Sequence, residues 1–376
     1  MENLKIKPVV YAVGKNYQII FVAKCEMVAW AKVNGKEYFD HSNGVIRSRK
    51  TTHIISVPME ELNKAKEYTI CYIPVMVRRP FNSTVGEQKE LTFNFKPVEN
   101  ETIRIYNLTD THSKIDTPVQ ASSYNDFDVL IMAGDNPNSV QTIEEFDTVH
   151  ELASKATNGE IPVVFARGNH DIMGACAENF NEYTPCENGK SYFTFRLGDM
   201  WGMVLDIGPD RQDNFDGYNN TMCGSFFRKE ETLFIENVIK NAKNEYKAKG
   251  VKKRIIVSHV AFTQKYSYPF DVDTELMYYW SKLLREKIKP HVFFSGHDHA
   301  TQVYYKGGKR DFKGQACPVV MASNPHGKLM KEENIDKFTG GLAVIDNKTV
   351  TVTYNDNENN ITGVEKFSLK TGEKIN

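Results

Sequence analysis

Between residues 103 and 299 the chain repeats one pattern, a short apolar run closing on a polar and chemically active side chain. Residues 103–110 alternate apolar and polar positions and end at Asp110. Residues 128–134 lead into Asp135, residues 161–167 into Gly168-Asn169-His170, residues 254–258 into His259, and residues 291–295 into Gly296-His297. Short runs rich in β-branched residues predict interior strands. Polar groups just past the C-terminal ends of such strands are where open α/β sheets hold ligands. Glycines at 134, 168 and 296 predict sharp turns that carry the next side chain inward.

Between these runs the period changes from two to that of a helix. Residues 142–156 place Ile143, Phe146, Val149, Leu152 and Ala153 on one face, and residues 229–249 do the same with Leu233, Phe234, Val238, Ala242 and Tyr246 before Gly250. Residues 274–288 carry Leu276, Tyr279, Leu283 and Leu284 and stop before Pro290. Such stripes predict core-facing helices. Residues 191–197 and 200–206 predict a hairpin around Gly198-Asp199, and runs at 302–306, 317–322, 341–346 and 349–354 predict a further sheet. Strands on both sides of the motif region predict two sheets flanked by helices.

The first 98 residues read differently. Runs at 17–23, 27–33, 53–57 and 68–73 are short and strand-like, with Asn34-Gly35 and Asn43-Gly44 as turn signals. They predict a separate all-β module, an immunoglobulin-like or fibronectin-like sandwich over residues 1–98, followed by an α/β domain over 99–376. Residues 95–100 read as a linker.

Composition narrows the function classes. With 376 residues and a net charge of −1, the chain carries no broad basic footprint for nucleic acid. Residues 1–7 are polar with no long apolar run behind them, and no apolar run approaches a membrane span, so a cytoplasmic protein without a membrane partner is expected. Six cysteines show no metal-binding spacing and are expected to be reduced and mostly packed.

The chemistry lies in five blocks: Asp110-Thr111-His112, Gly134-Asp135, Gly168-Asn169-His170, His259 and Gly296-His297-Asp298-His299. Carboxylate, amide and imidazole donors without thiolates suit Mn, Fe or Zn. Two such ions side by side form a device for in-line displacement at phosphorus, because they acidify a shared water and neutralise growing phosphoryl charge. Asp171 and Asp298, beside these histidines in sequence, are candidates to orient an imidazole. Arg167 is a candidate contact to a substrate phosphate, although a salt bridge at the strand end is the favoured reading. The loops 172–189 and 209–225 are candidates to shape the substrate pocket. Histidines 41, 53, 150, 291 and 326 fit no block and are expected on the surface or packed.

The ordered blocks resemble the calcineurin-like metallophosphoesterase family, over roughly half of the chain. The resemblance implies that two metal ions are held, one by Asp110, His112 and His299 and the other by Asn169, His259 and His297, with Asp135 bridging them. His170 is implied to face the substrate beside Asn169 as a proton donor or charge stabiliser. It further implies an αββα sandwich, preceded by a β-sandwich reminiscent of purple acid phosphatase architecture. That branch uses Gly where this chain has His112 and a ligating Tyr where it has Asn138, so its fixed ferric site is not implied. The function expected is a binuclear metal-dependent phosphatase or phosphodiesterase acting on a small phosphorylated substrate, with a metal-bridging hydroxide as nucleophile. A non-catalytic scaffold for protein contacts is the alternative. Substrate, metal identity and oligomeric state are not readable from the residues.

Overall fold

The structure, a computed structural model, describes residues 3–40, 50–324 and 337–375. The turn expected at Asn43-Gly44 and histidines 41 and 326 lie outside them. The chain opens with strands β1 (Leu4–Val13), β2 (Asn16–Ala23), β3 (Met27–Val33), β4 (Lys36–Phe39) and β5 (Thr52–Pro58). Helix α1 (Met59–Ala65) and strands β6 (Glu67–Val77), β7 (Thr84–Val85) and β8 (Lys89–Asn94) follow. Next come β9 (Ile103–Leu108), α2 (Asp116–Ser123), β10 (Val129–Met132), α3 (Asp147–Thr157), β11 (Pro162–Phe165) and the short α4 (Phe180–Tyr183). The hairpin β12 (Phe193–Leu197) and β13 (Met200–Val204) leads to α5 (Gly224–Lys240), β14 (Lys253–Val257), α6 (Thr274–Leu283) and β15 (Val292–Ser295). Strands β16 (Thr301–Tyr304), β17 (Val319–Asn324), β18 (Thr339–Ile345), β19 (Thr349–Asp356) and β20 (Ile361–Ser368) complete it.

Two mixed sheets carry the fold. One runs β20-β19-β18-β9-β10-β11-β1-β2-β5, the other β12-β13-β14-β15-β17-β16, and they join where β17 meets β18. Strands β9, β10 and β11 are parallel neighbours, as are β13, β14, β15 and β17, so their C-terminal ends share a side within each sheet. Alternation along β14 shows the layering. Ile255 and Val257 join the large core with β9, β10 and β11, while Ile256 joins a second core with Ile235 and Val238 of α5 and Met277 and Trp280 of α6. Helix α3 packs on β1 and α2 on β18, which gives the expected sandwich of two sheets flanked by helices.

The helices differ from expectation at their ends. Helix α5 begins at Gly224 rather than 229, because the Asp213 carboxylate accepts the N–H groups of Gly224 and Ser225 at 2.9 and 3.1 Å. It ends at Lys240, where the Asn241 amide turns back onto the Asn237 carbonyl at 3.0 Å. Strands β1 and β20 and helix α2 had no counterpart in the sequence reading. Strand β1 begins within residues 1–7, whose alternating lysines disguised it.

The N-terminal strands do pack as two sheets, with Ala29, Ala31 and Ile70 facing Ile19, Ile55 and Val57 in one core. One of these sheets is joined to the rest of the fold. Strand β1 pairs in parallel with β11 at Val10↔Pro162 and Tyr11↔Val163, so one N-terminal sheet continues the catalytic one. The Tyr11 hydroxyl also meets His150 Nδ1 of α3 at 3.0 Å. A chain beginning at residue 99 would bare the edge of β11 and the core facing α3. It is expected to aggregate, or to melt well below the full chain in calorimetry.

Candidate metal centre

All five blocks lie at strand ends, where the backbone leaves the sheets. Asp110 follows β9, Asp135 follows β10, Asn169 and His170 follow β11, His259 follows β14, and His297 and His299 follow β15. Asp110, His112, Asp135, His297 and His299 all have positive φ, between 43 and 72°. That left-handed backbone is costly for L residues and persists only where surrounding structure over-determines it.

Two features hold it. The first is close approach of the loops after β10 and β11. Gly134 has φ 92°, and a Cβ there would lie 2.7 Å from the Gly168 backbone; a Cβ on Gly168 would lie 2.2 Å from Asp135 Oδ1. The second is Asp171, whose carboxylate accepts the backbone N–H groups of Gly168, Asp135 and Asn136 at 2.6, 3.1 and 3.1 Å. Asp171 therefore staples two ligand loops together instead of orienting an imidazole. Asp171→Ala would strand three buried donors at about 1–3 kcal/mol each, so a melting temperature lowered by several degrees is expected in calorimetry, with weaker metal uptake.

The candidate ligands converge. Donor atoms of Asp110, His112 and His299 lie within 4.8 Å of one another, as do those of Asp135, His259 and His297, and those of His112, Asp135 and His170. Asn169 joins the second group through its Oδ1, 3.2 Å from His297 Nδ1. Asp110 accepts the His297 N–H at 3.0 Å, and Asp135 Oδ1 accepts the His170 N–H at 2.8 Å. His259 Nδ1 donates to the Ala133 carbonyl at 2.7 Å, which aims Nε2 at Asp135 Oδ2, 3.0 Å away. His170 Nδ1 meets the Asn138 carbonyl at 2.8 Å, leaving Nε2 as its working nitrogen.

The donor set fits cations. His112 and His299 turn Nε2 atoms toward each other at 3.1 Å, and buried His112 Nδ1 has no hydrogen-bond partner among the described residues. Burial lifts the Asp110 carboxyl to about 7, Asp135 adding to it and His259 opposing. Burial also presses His112 down to about 4 and His297 down to about 3. His259 is raised to about 10, because Asp135 and Asp110 outweigh its burial. Buried carboxylates and the unprotonated imidazoles of His112 and His297 are acceptors awaiting positive charge, and His259, paired with Asp135, would release its proton to a cation taking that place.

Arg167 is placed elsewhere. Its Nε lies 2.6 Å from Asp206 Oδ2, and its guanidinium lies over the rings of Phe180 and Phe227, each at 5.1 Å. For Arg167 the strand-end salt bridge, the favoured reading over the candidate phosphate contact, is the one the structure has. Asp298 accepts the Tyr266 hydroxyl at 3.3 Å rather than an imidazole proton. The loop 172–189 docks on the N-terminal strands through Gln18 and Cys186, 2.7 Å apart. His53, His150 and His291 are packed at or near Asp40, Tyr11 and Arg254. All six cysteines are free thiols, two buried, three half-buried and Cys223 exposed. Asn138, whose carbonyl orients His170, carried no signal in the sequence because it acts through its backbone.

An α/β sandwich with buried carboxylates and imidazoles gathered at its strand ends is the build of a metal-dependent hydrolase. The calcineurin-like phosphoesterase family model matches residues 103–301, over half of the chain. The chain belongs to that family, a metallophosphoesterase that hydrolyses phosphoric esters with divalent metal ions. In fold it is similar to a purple acid phosphatase, PPD1 from yellow lupin (Lupinus luteus) seeds, with TM-score 0.57 and 15% identity, covering 97% of this chain and 75% of that one. It is likewise similar to PhoD, with TM-score 0.54 and 11% identity, covering 99% of this chain and 91% of that one. No curated protein matches the sequence. No helix among the described residues is long and apolar enough to cross a membrane.

Proposed function

We propose that this protein is a two-metal phosphatase or phosphodiesterase acting on a small phosphorylated compound. Asp110, His112 and His299 would hold one ion, Asn169, His259 and His297 the other, and Asp135 would serve both. The observation that carries the reading is the pair of three-donor groups, Asp110–His112–His299 and Asp135–His259–His297. When bound, the cations, drawn from Mn, Fe or Zn, supply Lewis-acid charge against the phosphoryl oxygens and acidify water.

The remaining work falls to the chain itself. Asp135 fixes the backbone of His170 through its N–H, and the Asn138 carbonyl fixes the ring. As a water oxygen bonds to phosphorus and the ester P–O bond breaks, His170 Nε2 would give a proton to the leaving oxygen, with Asn169 beside the same phosphate. The free cysteines fit a reducing compartment, so cytoplasm is the proposed location.

The test is chelation followed by defined metal return. Metal-stripped protein should lose turnover of 4-nitrophenyl phosphate and bis(4-nitrophenyl) phosphate, and regain it with about two equivalents of Mn, Fe or Zn. Saturation at one equivalent would overturn the two-ion arrangement. Full metal loading without turnover of any phosphate ester would favour the non-catalytic scaffold.

A further inference from the structure

Two arginines, one reaching His297 through Phe270 and one held by its neighbour Asp298, have no part in the chemistry above. Arg211 belongs to the loop 209–225. Its Nη1 donates to Asp210 at 2.9 Å, and its guanidinium lies 5.3 Å from the Phe215 ring centroid and 4.8 Å from that of Phe270. Phe270 in turn packs edge-on against His297, with centroids 6.5 Å apart. Asp210 lines a small cavity together with His297 and Phe270, and it feels the charges of Asp135 and His259. Arg310 approaches from a different loop. Its Nη1 lies 3.9 Å from Asp298, the residue between His297 and His299, and its guanidinium lies over Tyr304 at 5.4 Å.

Other arginines nearby are spent on the fold. Arg228 is only 1% exposed and uses its guanidinium on Asp273 and the carbonyls of Ile207 and Pro209. By contrast Arg211 is 25% exposed and Arg310 54% exposed, each braced by one carboxylate and aromatic stacking. Bracing of this kind reduces the rotamer entropy lost when a guanidinium fork meets an anion. The pairing acids cancel most long-range charge, so what remains is short-range, geometric recognition of a phosphate.

The geometry points to a second anion subsite at this rim, built from Arg211 and Arg310, so that the substrate is a phosphoester carrying a second phosphate group. This rests on the phosphoester-hydrolase reading, since it places the first phosphate at the metals. Fold alone would not ask for it; two independently braced guanidinium groups, one next to Phe270 against His297 and one next to Asp298, do.

The experiment is calorimetric titration of the metal-loaded full chain. The probes are alkane-α,ω-bisphosphonates of increasing length and the matching alkylmonophosphonates, neither of which is hydrolysed. Wild type should bind the best bisphosphonate at least about tenfold more tightly than its monophosphonate. In Arg211→Ala and Arg310→Ala that ratio should shrink toward one, with metal content and circular dichroism unchanged, and Arg211→Lys should recover only part of it. A ratio near one in wild type at every length would overturn the subsite, as would a ratio that survives both substitutions. Equal losses for both probes would also overturn it, marking the arginines as structural. If the ratio and its arginine dependence appear while neither 4-nitrophenyl phosphate nor bis(4-nitrophenyl) phosphate is turned over, the hydrolase reading fails and the anion subsite stands.

Discussion

Replacing Asp135 with alanine is expected to abolish turnover and to empty the site of metal. Its side chain belongs to groups of facing donors that include both His112 and His259. It faces His259 at 3.0 Å, accepts the His170 N–H at 2.8 Å, and contributes donor atoms to two of the three groups of facing ligands. Its carboxyl is held well below the usual range: burial acts to raise it, but the charges of His259, His170 and His112 prevail. Removing the carboxylate takes away the negative charge that draws cations into a buried pocket. It also releases the backbone of His170. Outer partners of metal ligands typically cost about 10–100-fold in affinity or activity when mutated, and the loss here should exceed that range. Metal analysis beside a turnover assay checks it, and retention of two metals with normal turnover would refute the central role.

Replacing His170 with alanine should separate chemistry from metal binding. His170 contributes to one group of facing donors, but its Nδ1 is engaged by Asn138, and the neighbouring loops are stapled by Asp171 rather than by its ring. Metal content should therefore stay near that of wild type. Loss of a positioned proton donor typically lowers turnover by about 10²–10⁴-fold. The drop should be steep for alkyl phosphates, whose leaving oxygen needs a proton, and shallow for 4-nitrophenyl phosphate, whose leaving group departs as an anion. A uniform drop across leaving groups would assign His170 to charge stabilisation. Loss of metal would instead make it a ligand.

These expectations could be drawn up from the chain because the chemistry lies at regular places. Each ligand block follows an apolar run, and β9, β10, β11, β14 and β15 form where those runs are. Period-two and helical alternation also located α3, α5 and α6, within the shifts that local capping imposes. Strand β1 escaped because lysines at positions 5 and 7 alternate with core residues, so the start of an interior strand reads as a polar stretch. Helix α2 is short and only weakly amphipathic, and β20 is exposed along most of its length, so neither has a strong pattern to read.

Side-chain roles divided along a similar line. Whether a carboxylate beside a ligand histidine orients that ring or braces a backbone depends on which way it turns. Asp171 turns to three N–H groups and Asp298 to a tyrosine hydroxyl. Arg167 follows a strand end just as a substrate contact would, yet Asp206 and two phenyl rings claim it. Arg211 and Arg310 carried no motif at all. They stand out only because distant loops bring one against Phe270, which packs on His297, and the other against Asp298.

Local pattern thus sufficed for the candidate ligands, the alternation of strands and helices, and the family, since each is written in neighbouring residues and their period. Three-dimensional packing alone settled how the N-terminal sandwich joins the catalytic sheet, which charged groups brace loops, and which keep a face open at the rim. The reason is that a strand's partner, like a charged group's, is chosen by long-range contact and desolvation, and neither has a signature in adjacent positions along the chain.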